Sequence, residues 1–94
     1  MDKTYIVELN EFGRQSLGAS PIGKMLLRKP GYLTCTHIDE SGPVLQMNVV
    51  PPEGGGLESK VELRIPFEFV LCIATAHDEK TLGTLSNEED RGNT

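Results

Sequence analysis

Pro66 stands between two apolar stretches, Val61-Glu62-Leu63-Arg64-Ile65 and Phe69-Val70-Leu71-Cys72-Ile73-Ala74, and it constrains the fold more than any other residue. A proline has no backbone N–H and a fixed φ, so it is excluded from the middle of a sheet ladder and confined to an edge, a bulge or a corner. We read Ile65–Val70 as a corner between two strands. The upstream stretch alternates: Leu57, Val61, Leu63 and Ile65 are apolar, while Lys60, Glu62 and Arg64 would face water. The downstream run does not alternate. Such a strand is either buried on both faces or keeps one apolar face for a partner.

The remaining segments follow the same β logic. Lys3–Leu9 is rich in β-branched and aromatic residues and stops at Asn10-Glu11-Phe12-Gly13, which predicts a first strand. Tyr32–Ile38 and Val44–Val50 flank Asp39-Glu40-Ser41-Gly42-Pro43 and predict a hairpin. Pro51–Gly56 reads as a turn or flexible loop. Between the first strand and the hairpin, Ser20 suits a helix N-cap, Pro21 the first helical position and Pro30-Gly31 a stop, so one short helix is expected, weakened by Gly23.

With 94 residues the chain holds one domain and no large enzyme core. The expected boundaries are a small β domain over residues 1–76 and an acidic polar tail over 77–94. In the tail Ser86–Thr94 is expected to be disordered, while Lys80–Leu85 could dock through Leu82 and Leu85. The fold expected is mainly β: a small five-stranded antiparallel barrel or strongly bent sheet with one short helix. In outline this resembles an SH3-like or Sm-like barrel over residues 3–75. The resemblance is one of topology without a diagnostic motif, and a fold analogy implies no function by itself.

No apolar run is long enough to span a bilayer. Met1–Glu8 places an acid directly after Met and a Glu inside its apolar patch, unlike a signal peptide, so a cytoplasmic location is expected. Cys35 and Cys72 both sit in strand-like runs and read as buried reduced thiols, with a Cys35–Cys72 bridge as the alternative if those strands are neighbours.

Candidate chemistry is sparse. Gly18–Met25 has the spacing of a phosphate-binding loop through Gly23-Lys24, but Met25 stands where a magnesium-holding hydroxyl belongs, and a capped helix explains it better. Cys35, His37 and Asp39 alternate, which on a regular strand would put three potential metal ligands on one face, short of the four of a structural zinc site; a packed Cys35, a surface or rim His37 and a turn-forming Asp39 are the better reading. His37 and His77 are the available imidazole bases and neither has a nucleophile signature beside it. Glu62 and Glu68 read as a solvent-facing and a bend residue. No catalytic motif, cofactor or metal is implied, and the chain is read as a non-enzyme.

Charge is segregated. The net charge is −5, yet residues 12–38 carry four cations, Arg14, Lys24, Arg28 and Lys29, and no acid. That segment could meet nucleic-acid phosphates, an anionic protein surface or the acidic face of a second copy. The leading expectation is a non-enzymatic module for protein interaction or self-assembly, a homo-oligomer joined by an apolar strand edge through Phe67, Phe69, Leu71 and Ile73. The alternative is an RNA- or DNA-binding small barrel using Arg14, Lys24, Arg28 and Lys29, with Tyr32 as a stacking platform. A third is a minimal metal protein or enzyme at Cys35 and His37.

Overall fold

The computed structural model describes residues 3–54 and 56–76; the expected acidic tail, with His77, Leu82 and Leu85, lies outside the described residues. Five strands form one antiparallel sheet: β1 (Thr4–Leu9), β2 (Tyr32–Asp39), β3 (Leu45–Val49), β4 (Val61–Ile65) and β5 (Val70–Ala76), in the order β4-β3-β2-β1-β5. Among the described residues neither β4 nor β5 has a second neighbour, so the sheet they form is open.

The short connection between the two edge strands forces the sheet to bend. Ile65 and Val70 are joined only by Pro66 and a single 3-10 turn over Phe67–Phe69, closed by Phe69 N–H donating to the Pro66 carbonyl at 3.1 Å. At about 2 Å per residue in the turn and ~3.3 Å per extended step, that link spans roughly 13 Å. Five flat strands would separate their edges by about 19 Å. Curling removes the difference, and the proline corner read from the sequence is the device that imposes it.

The concave face holds the core. Val7 and Leu9 of β1, Leu33 and Cys35 of β2, Leu45, Met47 and Val49 of β3 and Ile65 of β4 are buried together with Leu17 and Leu26 from the helical connection. The registers Val7↔Leu33, Met47↔Leu63 and Val49↔Val61 set these residues side by side on one face, as period-2 alternation requires. On the opposite face Glu62 and Arg64 are exposed as expected and pair at 2.7 Å, with Gln46 Nε2 also donating to Glu62 Oε2 at 2.8 Å.

Two short helices fill the β1–β2 connection. The expected helix is α2 (Pro21–Leu26), with Ser20 Oγ accepting from Gly23 N–H at 3.3 Å. Ahead of it lies a helix that the sequence reading did not predict, α1 (Glu11–Gly18). Asn10, taken as a strand terminator, is its N-cap and accepts from Gly13 N–H at 2.8 Å. Gly13 is where α1 meets the 3-10 turn: a Cβ there would lie 2.6 Å from the Phe69 carbonyl oxygen. Asn10 also donates from its backbone N–H to Phe69 O and from Nδ2 to Glu68 O, tying α1 to the corner.

Candidate functional site

β5 and the 3-10 turn before it carry the four residues expected at an interface, Leu71 and Ile73 on the strand and Phe67 and Phe69 in the turn. Val70–Ala76 contains no charged side chain, and among the described residues one of its two backbone edges has no neighbour. Leu71 is 62% exposed and Phe67 39% exposed, whereas Phe69 and Ile73 are half-buried and pack against the core. Of the four expected interface residues, two are therefore presented to solvent and two anchor the corner and strand. Leu71 stands out because β5 carries a bulge: Glu8 pairs with Cys72 and Leu9 with Val70, leaving Leu71 as the extra residue. Beyond the bulge the ladder is regular from Glu8↔Cys72 to Thr4↔Ala76, and Cys72, Ala74 and Thr75 are exposed.

Sequence reasoning missed Phe12. It is 60% exposed on the first turn of α1 and meets Phe69 edge-to-face with ring centroids 5.3 Å apart. Once Glu11–Gly13 was read as a turn, Phe12 had no element to sit on. Ile22 and Met25, one helical turn apart on α2, are also exposed.

The basic segment is partly consumed by the fold. Arg14 Nη1 donates to the Leu9 carbonyl at 3.2 Å, and its aliphatic stem fills the space beside Gly31, where a Cβ would fall 2.0 Å from Arg14 Cδ. Arg28 Nη2 donates to the carbonyls of Val50 and Pro51 at 3.2 and 3.3 Å, fastening the approach to β2 onto the end of β3. Its Nε is buried without a hydrogen-bond partner. Lys24 and Lys29 are exposed, and Tyr32 is half-buried. The phosphate-loop spacing of Gly18–Met25 resolves into the end of α1, the Ser20 cap and the six-residue α2.

A bulge in β2 separates the cysteine from the histidine. Cys35 pairs with Val49 and His37 with Asn48, so Thr36 is the extra residue and alternation breaks there. Cys35 points into the core and His37 is exposed, as the reading of a packed cysteine and a surface histidine expects, and the one-face arrangement of a regular strand does not form. Asp39 accepts from the Ser41 hydroxyl at 2.6 Å and the Ser41 N–H at 2.9 Å, and these bonds hold its carboxyl below the usual range. Among the described residues no three His, Cys, Asp or Glu side chains gather as a metal-holding group.

The two thiols differ in environment, contrary to the expectation that both are buried. Cys35 is buried and desolvation pushes its pKa up to about 12. Cys72 is exposed because the register sets it beside Glu8 on the solvent face of the sheet; its Sγ donates to Glu8 Oε1 at 3.2 Å, and that bond raises its pKa. β1 lies between β2 and β5, so the two cysteines are not neighbours, and both are free. A neutral aromatic disulfide reagent is expected to titrate one thiol in the folded protein and two after denaturation. Two fast equivalents in the folded state would contradict the burial of Cys35.

No helix among the described residues is long and apolar enough to cross a membrane. Set against known proteins, the chain matches no protein family, no curated relative and no solved structure.

Proposed function

We propose that the protein is a non-enzymatic interaction module that self-associates through the edge of β5. The observation that carries this reading is an open edge strand without a single charged side chain that also exposes Leu71. Edge strands are usually blunted by charge, proline or a covering element, because their unpaired N–H and C=O groups otherwise recruit another strand. Here the bulge at Leu71 blunts only one end, leaving Cys72–Ala76 regular. Phe67 and Phe12 extend the apolar surface near the corner. Two unbridged cysteines fit a reducing compartment, and we take the cytoplasm as the location.

The test is molar mass by light scattering across protein concentration at low and high salt. A discrete oligomer that persists in high salt is expected, since an uncharged interface has little to lose to screening. Ala74→Lys and Thr75→Lys, both at exposed positions, should return the protein to monomer mass while leaving its circular dichroism unchanged. A monomer at every concentration removes the proposal. Nucleic acid that co-purifies and is stripped by salt would instead direct attention to Lys24 and Lys29, the exposed members of the basic segment.

A further inference from the structure

We infer that two copies join β5 against β5 about a two-fold axis, and not β5 against β4; this rests on the edge-association reading above and specifies its partner strand.

Among the described residues the sheet has two free edges of opposite character. β4 carries Glu62 and Arg64, both exposed and paired at 2.7 Å, with Lys60 exposed just before them. A strand laid along β4 would take water from this ion pair and return no charge, because β5 has none to offer. A second β5 laid along β5 covers Cys72, Ala74 and Thr75 and meets the same uncharged set. Among the described residues of the neighbouring strand β1, the charge beside that seam is Glu8, opposite Cys72. Across two β5 strands the two copies of Glu8 would stand about 14 Å apart, beyond the ~8 Å screening length at physiological salt.

Symmetry and curvature agree with the charge argument. A β5-to-β4 contact leaves one edge of each type free and keeps adding copies unless a ring closes, whereas β5 against β5 uses the same patch on both copies and stops at two. The Pro66 corner brings β4 towards the Val70 end of β5, and the Leu71 bulge breaks the ladder at that same end. Pairing is therefore confined to Cys72–Ala76. Paired residues of antiparallel strands share a face, so a perpendicular two-fold axis runs midway between the two strands and sets one residue of this segment opposite its own copy.

The experiment moves a single reactive cysteine along the segment in the full chain. Cys35 stays in place, since it is buried. The wild type offers Cys72, and Ile73→Cys, Ala74→Cys and Thr75→Cys are each combined with Cys72→Ser and checked for native circular dichroism; Ala76 is left out because it is buried. Diamide takes one hydrogen from each of two thiols, becoming the hydrazine as the S–S bond forms. Residues facing across an antiparallel pair have Cα atoms ~4.5–5.5 Å apart, within disulfide reach. Same-position covalent dimer is expected to peak at one residue of the four and fall away from it. The Arg64→Cys, Cys72→Ser chain is expected to give none, alone or mixed with wild type.

Cross-links that form only in that mixture would overturn the two-fold inference while leaving edge association intact. Oligomers that keep growing with concentration would do the same. A protein that is monomeric by light scattering and forms no cross-link overturns both.

Discussion

Replacing Leu33 by alanine is expected to cost about 2–5 kcal/mol, seen as a lower urea midpoint with an unchanged slope. Leu33 is fully buried in β2, paired with Val7, and belongs to the core that the curled sheet closes over. β2 has a hydrogen-bonded strand on each side, so little backbone movement is available to collapse the cavity. A small domain has only ~5–15 kcal/mol of stability in total, so this one substitution removes a large share of it. The matched control is Leu71→Ala, the same chemical change at a 62% exposed position. Measured at a dilution where the chain is monomeric, it should stay within about 0.5 kcal/mol of wild type. Equal costs at the two positions would mean that the concave face is not the core.

Gly13→Ala is expected to destabilise by about 1–3 kcal/mol, and Gly18→Ala to stabilise by about 0.4–1 kcal/mol. Helix propensity alone makes both substitutions favourable, since each exchanges glycine for alanine within α1. The surroundings separate them. A Cβ at Gly13 would lie 2.6 Å from Phe69 O and 2.9 Å from Phe69 Cβ, and Phe69 O already accepts the Asn10 N–H at 2.9 Å. To admit the methyl group, α1 must lift away from the corner and stretch that bond. A Cβ at Gly18 meets nothing within 4 Å. Thermal unfolding followed by circular dichroism reads both signs, and a stabilised Gly13→Ala variant would contradict the close packing of α1 on the corner.

The parts of the fold legible in the sequence are those with local causes. The β2–β3 hairpin announces itself by β-branched runs around an Asp-Glu-Ser-Gly-Pro turn, and the corner by the donor that Pro66 lacks. α1 stayed hidden because its two glycines read as breakers, and one of them is required by a contact with a residue far along the chain. The strand order has no local signature, since β1 pairs with β2 on one side and the last strand on the other.

The same division runs through the candidate site. The uncharged run of β5 could be read directly, whereas the exposure of Cys72 depended on the register that sets it beside Glu8 on the solvent face. Alternation placed Cys35 and His37 on one face until a single extra residue, Thr36, turned one inward and the other outward. The net charge of residues 12–38 was legible, but Arg14 and Arg28 bind backbone carbonyls, and any residue type can supply those.

The amide of Asn10 has a consequence for the order in which this chain organises. Its Nδ2 reaches the carbonyl of a residue 58 positions away, while its Oδ1 holds an N–H only three positions on. The local half of this bridge can form as soon as the first helical turn does, at little loop-closure cost. The distant half must wait until the intervening strands have brought the far end of the sheet round. Asn10 thus acts as a latch: it sets the entry of the first helix early and locks the closing corner at the end.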